Sequence, residues 1–260
     1  MKFTMKYTMT IALLITVSAL RAQEYYIAHR GASFDAPENT VSAAKLAWET
    51  GADAVEVDIY LAADNRVMVI HDKDTHRTCG GKNLSIKETP SVLLRDLDAG
   101  HLKDPRFKGE KIPYLEEILA TVPKGKTLVV EVKCGSEVIP YLSRIISKSK
   151  KADQVAFIAF GWETIVAVKK NFPQNKALWL SGSQQAALKK LDEVKSAGLE
   201  GIDMQSSAID QELVTAARDK GLEVWAWTVD NPEEARRLAN LGITHITTNR
   251  PAWLKQQMEN

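Results

Sequence analysis

From Tyr25 onward, short apolar runs alternate with longer stretches whose apolar residues recur every three or four positions. The short runs predict β-strands over residues 26–29, 54–59, 128–132, 155–159, 177–180, 201–204, 223–228 and 245–247. The helical spacing predicts helices over 41–50, 115–121, 137–150, 162–171, 184–197, 211–220, 232–240 and 251–258. Strict alternation of this kind implies parallel strands joined by helical crossovers. Eight such repeats favour closure into an α/β fold of the (β/α)8 TIM-barrel class over an open sheet. Helix boundaries support the reading. Asn39-Thr40 stands at a cap position, Pro232 and Pro251 at first turns, and Gly51, Gly198, Gly221 and Gly242 each follow a helix and precede a strand.

One segment breaks the rhythm. Asp64-Asn65 lies between Tyr60-Leu61 and Val67-Met68-Val69-Ile70, which predicts a hairpin extending the second strand and returning the chain at His71-Asp72. The remainder, to Pro113, is loop-rich. An insertion over about 60–114 is therefore expected, lying over the C-terminal mouth of the barrel, where the active sites of this fold occur.

Composition narrows the field modestly. A chain of 260 residues, 45% hydrophobic and 26% charged, suits one soluble domain of this class. A net charge of +1 makes no case for nucleic acid or an anionic membrane as a bulk partner. At the N-terminus, Lys2 and Lys6 precede an apolar run over 11–20, followed by Arg21-Ala22-Gln23. The run is too short for a bilayer span but has the form of a secretory leader, with cleavage expected after Ala22. Residues 1–22 are therefore assigned to a signal peptide and 23–260 to a single domain, exported to the periplasm or secreted, with no stable membrane insertion. A short N-terminal core helix is the alternative. Cys79 and Cys134 leave a disulfide open, with two free thiols the favoured state, and no Cys/His cluster has zinc spacing.

The chemistry enters at Val55-Glu56-Val57-Asp58. Alternation on a strand puts Glu56 and Asp58 on one face, where two carboxylates repel and are costly to desolvate. A bound cation removes the conflict; a solvated edge strand is the plainer alternative. Glu131 and Lys133 repeat the i, i+2 spacing at the next predicted strand end, and His29-Arg30 closes the first. Neighbouring strands lie about 4.8 Å apart, so these groups fall within roughly 10 Å at one mouth, with His71 returning beside them. Three carboxylates suit hard cations such as Mg2+, Ca2+ or Mn2+. Arg30 and Lys133 form a trap for a phosphate or carboxylate group, and two imidazoles supply acid and base. The combination describes phosphate-ester hydrolysis.

Ala28-His29-Arg30-Gly31, Pro37-Glu38-Asn39-Thr40, Glu56-Val57-Asp58, His71-Asp72, Leu97-Asp98-Ala99-Gly100, Glu131-Val132-Lys133 and Trp227-Thr228-Val229 occur in order. In these motifs the chain resembles the glycerophosphodiester phosphodiesterases over residues 24–257. The resemblance implies a (β/α)8 barrel with a small insertion after strand two. It implies Glu56, Asp58 and Glu131 as ligands of one Mg2+ or Ca2+, His29 and His71 as the acid–base pair, and Arg30 and Lys133 as phosphate-binding residues. Trp227 matches a position that often lies against glycerol, although Trp225 shares its face; Gln205 is placed near the pocket by position alone. The implied reaction converts a glycerophosphodiester into sn-glycerol 3-phosphate and an alcohol, with attack by the substrate's own 2-hydroxyl. A phospholipase-type relative acting on intact lipid and a non-catalytic phosphate-binding barrel are the competing readings. Thr75, where leucine is common, is expected to loosen the insertion. Asn249, in Thr248-Asn249-Arg250-Pro251 where Thr-Asp-Arg-Pro is more usual, is expected not to touch the chemistry.

Overall fold

The computed structural model describes residues 25–259; the leader assigned to residues 1–22 lies outside them. The chain begins with β1 (Tyr25–Ala28), α1 (Val41–Glu49), β2 (Ala54–Leu61) and β3 (Val67–Val69). Two short helices, α2 (His76–Cys79) and α3 (Ser91–Arg95), belong to the insertion, and α4 (Leu115–Thr121) resumes the alternation. There follow β4 (Thr127–Val132), α5 (Ile139–Ser149), β5 (Val155–Ala159), α6 (Trp162–Asn171), β6 (Ala177–Ser181) and α7 (Gln184–Ser196). The last units are β7 (Gly201–Gln205), α8 (Gln211–Asp219), β8 (Glu223–Trp227), α9 (Pro232–Asn240), β9 (His245–Thr248) and α10 (Pro251–Glu259).

The sheet runs β1-β9-β8-β7-β6-β5-β4-β2-β3, and β1 also pairs with β2. All barrel pairings are parallel, so eight strands close into a (β/α)8 barrel with β3 appended antiparallel to the end of β2. The expected hairpin is present, with Asn65 at φ 63 in its turn. Thr40 caps α1 by accepting from the Ala43 N–H at 3.2 Å, and Asn231 caps α9 ahead of Pro232. The four glycines expected at helix C-termini all take positive φ.

Strand alternation sorts the core into two layers. Val55, Val57 and Ile59 of β2, like Ile202 and Met204 of β7, face the helices. Ile27, Ala54, Val129, Ile158, Leu180 and Trp225 fill the barrel interior. A separate apolar cluster of Met68, Ile70, Cys79, Ile86, Leu94 and Ile112 gives the insertion its own small core. Thr75 tightens the insertion, against expectation: it is fully buried, donates to the Lys82 carbonyl at 2.9 Å and accepts from the Leu84 N–H at 3.0 Å. A leucine makes neither bond. Cys79 and Cys134 are both free thiols.

Candidate active site

Glu56, Asp58 and Glu131 come from adjacent strands, and Asp58 stands directly opposite Glu131 in register. All three are buried, at 2%, 1% and 8% exposure, and each offers an oxygen within 4.8 Å of the others. In two of them one oxygen is anchored by the protein. Glu56 Oε2 accepts from the Arg30 N–H at 2.8 Å, and Asp58 Oδ2 accepts from Asn39 Nδ2 at 2.8 Å. Their second oxygens, Glu56 Oε1 and Asp58 Oδ1, accept no hydrogen bond. Burial and the mutual charges of the cluster push Glu56 well above the usual carboxylate range and Glu131 up to about 7. Buried acids with one oxygen tethered and the other free fit a hard divalent cation, because oxygen ligation removes both the desolvation cost and the repulsion.

Two cations flank this cluster. Arg30, on the turn after β1 at φ 56, places Nε 3.4 Å from Asp58 Oδ2 and Nη1 3.0 Å from Glu38 Oε1. Lys133 Nζ lies 3.0 Å from Glu131 Oε1, 3.6 Å from Asp58 Oδ1 and 3.2 Å from His71 Nε2. Burial opposes its charged form, but the Glu131 and Asp58 charges outweigh that and raise the ammonium pKa.

The two histidines are held from behind. His71 Nδ1 sits 2.6 Å from Asp72 Oδ1, and Asp72 Oδ2 accepts from Arg77 Nε at 2.6 Å. Arg77, on α2, then forks onto Glu38 at 2.6 and 2.7 Å. Burial works against Glu38, but the hydrogen bonds from Arg77 and the charge of Arg30 hold it down at about 2. Glu38 thus bridges the β1 turn and the insertion. His29 Nδ1 sits 2.7 Å from Asn249 Oδ1, and burial, with the Arg30 charge, lowers His29 to about 4. Asn249 is therefore not remote from these groups, as its motif position suggested; it is the residue against His29.

A cavity of about 100 Å3 collects these groups, lined by His29, Arg30, Glu56, His71, Glu131, Lys133 and Trp227 among others, with Asp58 buried beneath. Trp227 is the wall and Trp225 the buried partner, stacked on His245 with ring centroids 4.7 Å apart. Phe160, after β5, meets Trp227 edge-on at 5.6 Å. Gln205 is exposed and does not line the cavity.

Asp203 of β7 also lines the cavity, buried at 1%, with Oδ1 unpartnered and its carboxyl pushed well up by burial and then by the Glu131 charge. Its only sequence signal was an acid at an inward position between Ile202 and Met204. Asn39 stood in a cap position and in the Pro37-Glu38-Asn39-Thr40 motif but was given no site role, yet its side-chain oxygen also accepts from the Asp58 N–H at 3.1 Å. A larger cavity, about 320 Å3, lies outside the barrel between α4 and α5 and holds none of this chemistry.

The sequence and the fold both have counterparts among known proteins. The model of the glycerophosphoryl diester phosphodiesterase family matches residues 29–253. A glycerophosphodiester phosphodiesterase of Caldanaerobacter subterraneus subsp. tengcongensis is 32% identical over 235 residues, covering 88% of this chain and 95% of the relative. One of Bacillus subtilis is 30% identical over 245 residues, covering 86% and 83%. Among solved structures, an Oleispira antarctica phosphodiesterase in complex with the product sn-glycerol-3-phosphate superposes with a TM-score of 0.86 at 27% identity, covering 92% of this chain and 98% of that one. With the barrel, the motifs and the family match all in register, the chain belongs to the glycerophosphoryl diester phosphodiesterase family.

Proposed function

We propose that this chain hydrolyses glycerophosphodiesters to sn-glycerol 3-phosphate and an alcohol, with one divalent cation, Mg2+ or Ca2+, held by Glu56, Asp58 and Glu131. The observation that carries the reading is the joining of three roles in one small cavity: buried acids with free oxygens, two cations, and two imidazoles. When bound, the cation supplies Lewis-acid stabilisation of the charge on the phosphate. Arg30 and Lys133 bracket the phosphate and orient it. One imidazole of His29 and His71 takes the proton of the substrate's 2-hydroxyl as that oxygen attacks phosphorus, and the other returns a proton to the leaving alcohol. Water then opens the cyclic phosphate. A tethered hydroxyl has an effective concentration of about 10⁵–10⁸ M when well oriented, which makes the intramolecular route favourable.

The volume supports a small polar substrate. The cavity of about 100 Å3 is well below the roughly 300–1,000 Å3 typical for drug-sized ligands, so it suits glycerol phosphate with the head group outside. Trp227 offers the glycerol a flat apolar wall. Beside it, a depression of about 250 Å3 between Lys133, Cys134, Phe160 and Thr164 receives the leaving group. No helix among the described residues is long and apolar enough to cross a membrane. Export is part of the same reading and rests on the leader-like residues 1–22 alone; the N-terminal sequence of the mature protein tests it.

The test of activity is direct. Glycerophosphocholine and glycerophosphoethanolamine are incubated with the protein and Mg2+ or Ca2+, and glycerol 3-phosphate is measured. No product from any head group rejects the proposal. Higher activity on micellar phospholipid than on the deacylated diester transfers the reading to intact lipid, and tight binding without turnover transfers it to a binding protein.

A further inference from the structure

We propose that Asn249 is a positioning residue for His29: a hydrogen-bonded chain from Asp230 through Asn249 fixes the ring proton of His29 on Nδ1 and leaves Nε2 as the atom that accepts the substrate hydroxyl's proton. The inference rests on the hydrolytic reading above and deepens it at His29.

The chain of reasoning starts at Asp230, just beyond β8. Its Oδ1 accepts from the Asn249 backbone N–H at 2.8 Å and from the Thr248 hydroxyl at 2.8 Å. Its Oδ2 lies 2.5 Å from Asn249 Nδ2. A carboxylate oxygen at that distance requires a donor, so the NH2 end of the Asn249 amide must face Asp230. The amide oxygen is thereby turned the opposite way. It accepts from the Ser33 hydroxyl at 3.0 Å and lies 2.7 Å from His29 Nδ1. An amide oxygen carries no proton, so His29 Nδ1 must bring one. In the neutral ring the other nitrogen then holds a lone pair. Since Nδ1 is committed to Asn249, which does not line the cavity, Nε2 is the nitrogen His29 presents there.

The amide differs in kind from a carboxylate at the same place. A carboxylate would orient the ring and also put a full negative charge against it. Here the charge sits one residue further off, on Asp230, and Asn249 transmits orientation alone. His71 has the other arrangement, with Asp72 directly against its Nδ1. The two histidines are thus backed unequally: a carboxylate stands against His71 Nδ1, a neutral amide against His29 Nδ1.

The test combines ring-proton placement with turnover in the full chain. In protein labelled with 15N-histidine at neutral pH, the His29 signals, identified as those missing from His29→Gln, should show Nδ1 protonated and Nε2 bare. A proton on Nε2 overturns the proposal outright, whatever the variants do. Asp230→Asn frees the amide to turn its NH2 toward His29, so the Nδ1 tautomer should be lost and kcat should fall by about 10²-fold with KM nearly unchanged. Asn249→Asp sets two carboxylates against each other and should fall similarly. The double variant Asp230→Asn/Asn249→Asp reverses the donor and acceptor but keeps every heavy-atom contact, so it should regain the Nδ1 tautomer and most of the turnover. Retained tautomer and kcat in Asp230→Asn, or no recovery in the double variant, overturns the assignment. A wild type with the expected tautomer but no hydrolysis of any glycerophosphodiester sinks the proposed function and leaves the hydrogen-bonded chain standing.

Discussion

Stripping the divalent cation should destabilise the whole barrel by an amount that depends on pH in a defined direction. In the apo protein Glu131 is raised from the ordinary 4.5 to about 7, and Glu56 is raised well above its ordinary value, by burial and by their neighbours' charges. A carboxyl raised in the folded state is comfortable when protonated. Its ionisation therefore costs apo stability progressively as pH climbs from about 4.5 through about 7. A cation held by Glu56, Asp58 and Glu131 as proposed would reverse the cost, because it would bind the ionised cluster. At a concentration of 100 times its Kd it contributes about 2.7 kcal/mol. A domain of this size gains roughly 2–4 °C per kcal/mol, so the melting temperature should rise by about 5–10 °C. Each pH unit below about 7 adds up to tenfold competition per displaced proton, or about 1.4 kcal/mol. Differential scanning fluorimetry in EDTA and in excess Mg2+ or Ca2+, at pH 6, 7 and 8, measures both quantities. The shift should grow with pH. A shift that is flat across that range, or one that survives Glu56→Gln combined with Glu131→Gln, refutes the reasoning.

His29→Ala should retain the cation-induced melting shift while losing at least about 10²-fold in kcat, since it removes a proton-transfer group and no ligand; retained turnover contradicts the acid–base role. Arg77→Ala cuts the tie between Glu38 and Asp72. Its own exposed ion pairs are worth only about 0–1 kcal/mol, so kcat/KM should drop about tenfold with little change in melting, and the reverse pattern would make the residue structural. Asp203→Asn replaces a buried acid whose pKa is raised by burial, so it should increase the melting temperature, more at pH 8 than at pH 5; a loss at pH 8 contradicts the assignment. Gly31→Ala should cost at least about 2 kcal/mol, because Gly31 adopts φ 79 and a Cβ there would meet the Ala43 backbone carbon at 2.6 Å. Urea unfolding checks that value.

The parts of the site that a periodic pattern can carry were legible in the chain, and the parts that depend on crossing loops were not. Glu56, Asp58, Glu131 and Lys133 announce themselves because side chains two apart on a strand share a face, and acids on an inward face conflict with burial. His29 and Arg30 follow from strand order, whereas Trp227 stood out through the family resemblance, because alternation puts Trp225 on the same face. Strand and helix ends shifted by a residue or two, as with His29, which falls one residue past β1, because end residues lack the pattern that defines the middle. The second layer was silent. Whether Glu38 reaches Arg77, or Asn249 reaches His29, depends on how two loops lie across each other at the mouth, and no local period encodes that. Asn249 was expected not to touch the chemistry; its importance lies in which end of the amide faces which neighbour, and residue type alone does not encode that. Asp203 carries no such mark, because one acid in a short apolar strand lacks the i+2 partner that distinguishes the others.

The bond between His29 and Asn249 joins residues 220 positions apart, and it forms only when β9 closes against β1. One of the first residues of the domain to leave the ribosome is therefore completed by one of the last. Glu56, Asp58 and Glu131 all precede, by more than a hundred residues, the side chain that stands against His29 Nδ1. With His29 positioned by Asn249 as proposed, fragments ending before residue 249 should be inert however well they fold. The ring closure that makes the barrel also sets the moment at which it becomes an enzyme.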